Sequence, residues 1–301
     1  MTLKKKMVLA VVNPVSGNVD KAPLVQELRR SLPAQHDLEL FETTGKGDGA
    51  LLRKRVNQLS PDRVLVIGGD GTLHLAATVV RHRQVVMGLV PAGSTNGFAH
   101  ELGLPAQPGD ALKVALGENL MEVDALMVNA HLVLHTADLG LNAELVQRYD
   151  DGSVRGRLGY LLQSVPTLLE TQAPYKFQIA AHGRVVEREG IMIVCTHCRH
   201  FGTGVEINPK GVINDGFFEL LLFKKLNMVQ IISTLLGNIP MDHDFVERIR
   251  AKEAIVGVNE KVALQTDGEP REPTAKINVK SLERAFTFAV GGQDGLAGNG
   301  Q

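Results

Sequence analysis

The sequence predicts an α/β N-terminal domain with a parallel sheet, followed by a β-rich, sandwich-like second domain. Up to about residue 90, short apolar runs alternate with segments of helical spacing. Beyond about Asp124, strand-like runs dominate. A chain of 301 residues that is 44% hydrophobic is long enough for two domains with apolar cores.

Each element of the first domain follows from its apolar spacing. Strands are predicted at residues 7–12, 38–41, 64–67 and 85–90, and helices at 23–32, 50–59 and 73–81. Repeated strand–helix units favour a parallel sheet that is covered on both faces. Loops rich in Gly, Ser, Thr and Asn follow the four strands, at residues 13–17, 43–48, 68–72 and 91–97. Because ligands bind outside the carboxyl ends of parallel strands, we predict a site at this edge.

The most informative loop follows the strand at residues 64–67 and contains Gly68, Gly69, Asp70, Gly71 and Thr72. A glycine turn between a strand and a helix N-terminus can hold a phosphate through backbone N–H groups. Asp70 could reach a magnesium ion or a substrate hydroxyl. The spacing matches neither of the two common phosphate-binding fingerprints, so a tight turn without a ligand is the alternative.

The second domain is predicted from a series of short strands. These are expected at residues 132–136, 175–181, 184–187, 191–196, 217–223, 254–258, 262–266 and 275–279, with helices near 158–170 and 228–236. His182-Gly183 indicates a tight hairpin turn. The pattern favours an antiparallel sandwich or barrel. We place the domains at residues 1–124 and 125–283, with a strand at 284–290 returning to the first domain and a flexible tail at 291–301.

Composition excludes several classes of protein. A formal net charge of −1 argues against a nucleic-acid partner. No apolar run reaches transmembrane length, and the N-terminus lacks the apolar core of a signal peptide. Two cysteines do not make a disulfide framework. These features predict a reducing, cytoplasmic setting.

Three motifs occur in a fixed order and carry a family resemblance. They are Gly68-Gly69-Asp70-Gly71-Thr72, then Pro91-Ala92-Gly93-Ser94-Thr95-Asn96, then Asp267-Gly268-Glu269. Together they resemble the diacylglycerol kinase catalytic domain family of bacterial lipid kinases, within the superfamily that includes NAD kinases. The resemblance implies that ATP, with Mg²⁺, phosphorylates the hydroxyl of a lipid such as diacylglycerol or a related long-chain lipid.

The resemblance also implies a set of nucleotide contacts. They are Asn13, Pro14, Ser16, Gly17, Thr43, Gly68, Gly69, Asp70, Gly71, Thr72, Leu73, His74, Leu75, Gly93, Ser94, Thr95 and Asn96. Glu269 is the implied proton acceptor, with Asp267 beside it and Asp70 as the third catalytic residue. We interpret Asp267-Gly268-Glu269 as an extended segment with both carboxylates on one face, as acid–base chemistry would use them. An ordinary turn is the alternative.

A further metal site is implied at Asp215. The family pattern suggests a structural Mg²⁺ held by the Asp215 carboxylate and the carbonyls of Val212 and Phe217. An Asx turn leading into the following strand would explain the same residues without a metal.

The chain departs from the family pattern at three places. His74-Leu75 replaces Asn-Glu, Gly97 replaces an Asp, and a Cys195-x-x-Cys198 segment replaces Asn-Gly. Cys195-x-x-Cys198 has zinc-ligand spacing, but the chain has no second cysteine pair. The two lost carboxylates leave open a non-catalytic nucleotide- or lipid-binding relative. An NAD kinase is the other alternative, although Asp-Gly-Gln is its commoner motif.

A lipid acceptor implies contact with a membrane surface. We expect the protein to be peripheral to the inner face of the membrane, through apolar segments at residues 158–169 or 228–236, the second preceded by Lys224 and Lys225. The alternative is that the 228–236 helix packs on the sheet. The sequence leaves the oligomeric state open, with a homodimer among the possibilities.

Overall fold

The computed structural model describes residues 5–17, 20–140, 174–201, 205–224 and 245–292. The chain divides into two compact units, with Met1–Val123 and Arg284–Gln301 in unit 1 and Asp124–Glu283 in unit 2. The predicted helices near 158–170 and 228–236, and the tail beyond residue 292, lie outside the described residues. In the described part of the chain, every helix is too short or too polar to cross a bilayer.

Unit 1 alternates strands and helices, as the sequence predicts. Its elements are β1 (Lys6–Val12), α1 (Ala22–Ser31), β2 (His36–Glu42), α2 (Asp48–Leu59), β3 (Arg63–Gly68), α3 (Asp70–Val80), β4 (Val86–Pro91), α4 (Gly97–Glu101) and α5 (Pro108–Ala115). The predicted boundaries are close to these, except that α3 begins at Asp70 instead of residue 73 and that α4 and α5 were not predicted. Residues 70–72 therefore form the first turn of a helix and are not a loop.

The sheet of unit 1 is parallel. β1 pairs with β2 and with β3, and β3 pairs with β4. Thr287 and Phe288, near the end of the last strand β16 (Glu269–Ala289), add a parallel neighbour to β4. All carboxyl ends of these strands lie at one edge, so the loops that follow them share that edge.

Helices cover both faces of this sheet. α1 and α5 pack on one face, with Leu28 and Leu112 in a core cluster with Ala10 and Ile67. The chain moves from β1 outward to β2 and back to β3, so right-handed crossovers place α2 on the face opposite α1. α2 packs against α3 there. The predicted α/β architecture of the first domain is therefore confirmed.

Unit 2 is antiparallel. Its strands are β5 (Leu120–Val128), β6 (His131–Val133), β7 (Thr136–Gly140), β8 (Tyr175–Ala181), β9 (Arg184–Gly190), β10 (Met192–Thr196), β11 (His200–Phe201), β12 (Val205–Glu206), β13 (Phe218–Phe223), β14 (Val246–Ala251), β15 (Glu253–Thr266) and the first part of β16. The order β14-β13-β10-β7-β15 forms one layer. The first half of β15 pairs instead with β8, which pairs with β9.

Strand β15 links the two layers of the sandwich. Its register shifts between Gly257 and Leu264, so Ala254–Val258 pairs with β8 while Leu264–Thr266 pairs with β7. Side chains from both groups of strands, such as Phe177 and Leu220, meet in one apolar core. The sandwich-like second domain is thus confirmed, and the two predicted strands at 254–258 and 262–266 are halves of one bent strand.

One predicted strand is wrong, and the sequence analysis missed β5, β7, β11, β12 and β14. The run at 132–136 is broken, because β6 ends at Val133 and β7 begins at Thr136. Leu134 and His135 donate their backbone N–H groups to the Asp267 carboxylate instead of to a neighbouring strand. Spacing alone did not indicate β5 or β7, because Glu122 and Asp124 interrupt the apolar residues of β5, and β7 has only five residues, one of which is Asp138. The hairpin turn at His182-Gly183 is confirmed, with both residues at positive φ.

A close helix–strand approach in unit 1 gives the first prediction. A Cβ on Gly88 of β4 would lie 2.5 Å from Leu65 Cδ2 and 2.7 Å from the Ala115 carbonyl oxygen of α5. We expect Gly88→Ala to lower the free energy of unfolding by about 1–3 kcal/mol through overpacking. Urea denaturation measures this change.

Gly49 in α2 supplies the matched control for this experiment. A Cβ there would make only an ordinary contact, 3.6 Å from Leu75 Cδ1. Gly49→Ala should therefore stabilise the protein by roughly 0.4–1 kcal/mol, because alanine restricts the unfolded chain. Equal effects of the two substitutions would contradict the packing argument.

Candidate functional site

Three of the four predicted loops contact one another at the carboxyl edge of unit 1. The Asn13 side-chain amide donates to the Thr72 hydroxyl at 3.1 Å. The Ser16 hydroxyl lies 3.0 Å from the Ala92 carbonyl oxygen, to which it can donate. Gly17 has a φ of +55°, and a Cβ there would lie 2.9 Å from the same oxygen. The structure therefore joins the 13–17 loop to both the start of α3 and the 91–97 loop.

Asp70 holds the 91–97 loop in place. Its two carboxylate oxygens accept the backbone N–H groups of Gly97 at 2.9 Å and Phe98 at 3.1 Å. These are the first N–H groups of α4, which have no partner within that helix. The carboxylate of α3 thus orders the loop from which α4 begins. Its predicted action on magnesium or substrate stays a prediction.

Gly68, Gly71 and Gly93 differ in why each position is a glycine. A Cβ on Gly68 would lie 2.6 Å from Thr72 Oγ1, and one on Gly93 would lie 2.4 Å from Gly69 Cα. These glycines are required by packing alone. A Cβ on Gly71 would meet nothing within 4 Å. Gly71 is therefore the glycine whose missing side chain leaves open space.

The N-terminus of α3 can receive an anion at this point. The N–H groups of Thr72 and Leu73 donate to the Gly69 carbonyl oxygen. For the N–H groups of Asp70 and Gly71, the described residues provide no acceptor. α3 has 11 residues, and its aligned peptide dipoles favour negative charge at this end.

The fourth loop, residues 43–48, is closed by its own aspartate. The Asp48 carboxylate accepts the N–H groups of Thr44 at 3.0 Å and Gly45 at 2.8 Å, and the Thr44 hydroxyl at 2.9 Å. Burial raises the pKa of Asp48, but these hydrogen bonds outweigh burial and lower the pKa below its ordinary value. Thr43 follows β2 and donates its N–H group to the Val12 carbonyl oxygen.

The other predicted nucleotide contacts differ in exposure. Pro14, Ser94 and Thr95 are exposed at the edge, whereas Leu73 is buried and offers only its backbone. His74 and Leu75 are half-buried on α3. Asn96, at a φ of +52°, accepts the Gly93 N–H group at 2.8 Å and so closes its own loop.

Sequence reasoning missed Lys21. This lysine, the N-cap residue of α1, is only 4% exposed, and its ammonium donates to the Ser16 carbonyl oxygen. Burial lowers the pKa of Lys21. The sequence feature that could have identified Lys21 is its position, since it is a cation four residues after Gly17 and at the start of a helix.

In unit 2, Asp267 lies in a turn and not on an extended segment, which corrects our interpretation. Asp267 and Gly268 have φ values of +50° and +83° and form the two-residue turn between β15 and β16. The Asp267 carboxylate accepts the N–H groups of Leu134, His135 and Thr136 at 2.8 to 3.1 Å. With this many donors on its oxygens, Asp267 anchors the break between β6 and β7.

Glu269 has a different environment two residues later. It begins β16 opposite Thr266 and is exposed. Its carboxylate has no hydrogen-bond partner among the described residues. The turn before it is tied down by Gln265, which accepts the Gly268 N–H group at 2.7 Å and donates to Asp138. Glu269 is thus a free carboxylate on a fixed turn.

The loop at Asp215 forms the Asx turn that was the alternative to a metal site. The Asp215 carboxylate accepts the Phe217 N–H group at 3.0 Å and pairs with Arg250 at 2.7 Å. The Arg250 guanidinium also lies 3.8 Å from the Phe217 ring centroid. Val212 is 41% exposed. A Mg²⁺ at this loop stays a prediction, and it would compete with the Arg250 guanidinium.

Asp124 supports the same loop and was also missed as a site residue. It is fully buried, and its carboxylate accepts the Gly216 N–H group at 2.6 Å. Its own N–H group donates to the Ile213 carbonyl oxygen at 2.8 Å. A lone aspartate in an apolar strand was the only signal in the sequence.

The cysteine segment is buried. Cys195 belongs to the sandwich core, and burial raises the pKa of its thiol. The Cys198 thiol lies 3.8 Å from the Leu134 carbonyl oxygen. His197 is fully buried, and neither ring nitrogen has a hydrogen-bond partner in the described part of the chain. Burial, followed by the charge of His135, lowers the pKa of His197 to about 3, against the opposing effect of Asp215.

Comparison with known proteins matches both units. Residues 7–128 match the model of the diacylglycerol kinase catalytic domain, and residues 136–284 match the YegS C-terminal NAD kinase beta sandwich-like domain. The fold and the two matches define a lipid kinase. Residues 7–128 belong to the diacylglycerol kinase catalytic domain family, as the motif order predicts. Membership of a kinase family implies that it uses a nucleotide.

Individual relatives agree with this assignment. A "Diacylglycerol kinase" of Bacillus subtilis (strain 168) is 28% identical over 272 residues, covering 86% of this chain and 88% of the relative. A "Probable lipid kinase YegS-like" of Klebsiella pneumoniae (strain 342) is 25% identical over 239 residues, covering 78% and 80%. Two solved structures from Bacillus anthracis str. Sterne have TM-scores of 0.80 and 0.73 at 21% and 20% identity. They cover 97% of this chain and 99% and 98% of their own, and at that identity they show the fold alone.

The environment of His197 gives the second prediction. Its pKa is about 3 when folded and near its ordinary 6.5 when unfolded, so between these values the unfolded chain binds a proton that the folded chain does not. Stability should therefore fall as pH decreases below 6.5, by up to about 1.4 kcal/mol per pH unit from this group. We expect His197→Leu to flatten this dependence.

The measurement is urea denaturation at a series of pH values. His100→Gln, which changes an exposed histidine in α4, is the control and should keep the slope of the wild-type protein. A slope that is unchanged in His197→Leu would show that the folded and unfolded states bind a proton at His197 equally, which would contradict the lowered pKa.

Proposed function

We propose that the protein transfers the γ-phosphate of ATP, with Mg²⁺, to the hydroxyl of diacylglycerol or a related long-chain lipid. The observation that carries this proposal is the open space at Gly71 beside the N-terminus of α3. Phosphoryl transfer requires mainly that phosphates be positioned and their charge be stabilised. Backbone N–H groups that lack a protein acceptor suit that purpose.

The residues around α3 fit a triphosphate. Within the described ranges, the Asp70 and Gly71 N–H groups have no protein acceptor. The buried Lys21 ammonium adds positive charge beside Ser16. In this proposal Thr43, Thr72 and Ser94 contact the rest of the nucleotide, with the 13–17 loop as a wall. Asp70 keeps the neighbouring 91–97 loop in position through Gly97 and Phe98.

Proton removal from the acceptor hydroxyl is assigned to Glu269. Its carboxylate has no hydrogen-bond partner among the described residues and follows a turn that other residues hold in place. Asp267 is assigned a positioning role, because its oxygens already accept three backbone N–H groups. Mg²⁺ would neutralise phosphate charge, and the oxygens of Asp70 retain lone pairs that could bind it.

The departures from the family pattern define the competing function. His74, Leu75 and Gly97 stand where the family has carboxamide and carboxylate side chains, which favours a nucleotide- or lipid-binding protein without turnover. ATP consumption measured against a panel of lipids in detergent, with NAD as an additional acceptor, separates lipid kinase, NAD kinase and non-catalytic outcomes. We further propose that the protein binds its lipid substrate at the cytoplasmic surface of a membrane.

Gly71 provides the test of the nucleotide site. Because a Cβ there meets open space, Gly71→Val should fold normally, yet its side chain would occupy the proposed phosphate position. We expect ATP affinity to fall at least tenfold while adenosine affinity changes little, as measured by calorimetry. Gly109→Val, at the second position of α5, is the matched control. Unchanged ATP affinity in folded Gly71→Val would contradict the assignment.

A pair of substitutions distinguishes the proposed roles of Glu269 and Asp267. Glu269→Gln should keep ATP binding and thermal stability but lower kcat by about 10²–10⁴-fold, the scale for a positioned base. Asp267→Asn should instead lower the free energy of unfolding by about 1–3 kcal/mol, because buried N–H groups lose acceptors.

The pH–rate profile provides the decisive readout for this pair. Asp267→Asn should keep the wild-type pH dependence of kcat, whereas Glu269→Gln should lose the ionisation of the base. Near-normal turnover in Glu269→Gln would move the proton-acceptor role to Asp267 or Asp70.

A further inference from the structure

The outward face of α2 carries positive charge that no acidic group among the described residues balances. Arg53 and Lys54 are exposed, and neither side chain has a hydrogen bond or an ion pair with the described residues. The acidic residue of α2, Asp48, is buried and bonded to its own loop. Arg55, by contrast, is paired with Glu39.

An exposed leucine lies beside Lys54. Leu51 is 53% exposed and precedes Lys54 by three residues, so the two side chains are neighbours on the helix surface. The inward face is formed by the fully buried Leu52 and Val56. Leu51 therefore lies outside the core, and a partner that removes its side chain from water would be favoured.

A further cation extends the charge beyond the helix. Arg83, just after α3, donates to the side-chain oxygen of Asn57 on α2. Arg53 and Lys54 line a shallow surface groove together with Ala50, Asn57 and Gln58. We call the set Leu51, Arg53, Lys54 and Arg83 the α2 basic face.

We propose that the α2 basic face docks on an anionic phospholipid surface. The exposed Leu51 beside Lys54, with Arg53 further around the helix and Arg83 just after α3, suits the boundary between headgroups and acyl chains, where apolar and cationic groups both find partners. The whole chain has a net charge of −1, so the attraction comes from this local arrangement. The inference rests on the proposed function in taking the lipid acceptor to lie in a membrane.

Vesicle sedimentation tests the charge contribution. Wild-type protein should bind vesicles of phosphatidylcholine with added phosphatidylglycerol better than phosphatidylcholine alone, and added salt should weaken binding. Each cation at such a surface contributes about fivefold, so Arg53→Gln with Lys54→Gln should weaken binding by roughly 25-fold. Leu51→Ser should weaken binding to anionic vesicles even at high salt, where the charge contribution is screened.

The matched control lies on the opposite face of the same sheet. Arg29→Gln with Arg30→Gln on α1 removes the same charge from exposed positions and should change vesicle binding by less than about threefold. All variants should keep the wild-type melting temperature and the wild-type rate on a short-chain, soluble lipid.

Two results would overturn the inference. If both double variants lose equal affinity, the vesicle responds to net charge and not to the α2 basic face. If wild-type protein binds neither vesicle, or if Arg53→Gln with Lys54→Gln binds as wild type does, α2 is a solvated helix. Failure of the proposed function is seen separately, as absent turnover of the soluble lipid by the wild-type protein.

Discussion

Carboxylates that accept backbone N–H groups are the interaction on which the loops of both units depend. Asp48 closes the 43–48 loop, Asp70 orders the start of α4, and Asp267 holds the break between β6 and β7. Loop backbone that leaves a sheet loses its ladder partners, and each buried N–H group without an acceptor costs free energy. One short acidic side chain satisfies two or three such groups at once, which explains why aspartate recurs at these positions.

The acidic residues therefore differ in whether their carboxylates are available to a ligand or a substrate. Asp70 and Asp267 are largely occupied by backbone donors, whereas the Glu269 carboxylate has no hydrogen-bond partner among the described residues. Adjacent carboxylates in a motif can therefore have opposite roles, one structural and one chemical. The same contrast applies to the glycines, since Gly68 and Gly93 are required by packing while Gly71 borders open space.

The residues that depart from the family pattern have different surroundings in the two units. At Gly97 the chain has no side chain, and the loop is ordered through the Gly97 backbone N–H group, which donates to Asp70. At His197 the replacement leaves two buried ring nitrogens without partners within the described residues. The Gly97 hydrogen bond uses a backbone group that does not depend on the side chain, whereas His197 is tolerated because its imidazole remains neutral.

Local patterns in the sequence determined the strand–helix alternation of unit 1, the antiparallel character of unit 2 and the family. The reason is that the spacing of apolar residues, the turn residues and the motifs can all be recognised in short segments. Tertiary structure decided the break at Leu134 and His135, the bend of β15 and the occupancy of Asp267, since each depends on residues far away along the chain. Lys21 and Asp124 became visible only through burial, which spacing does not report. The sequence determined which residues reach the edge of the sheet, and only the fold decided which of their polar atoms remain free, because hydrogen-bond partners are assigned in three dimensions.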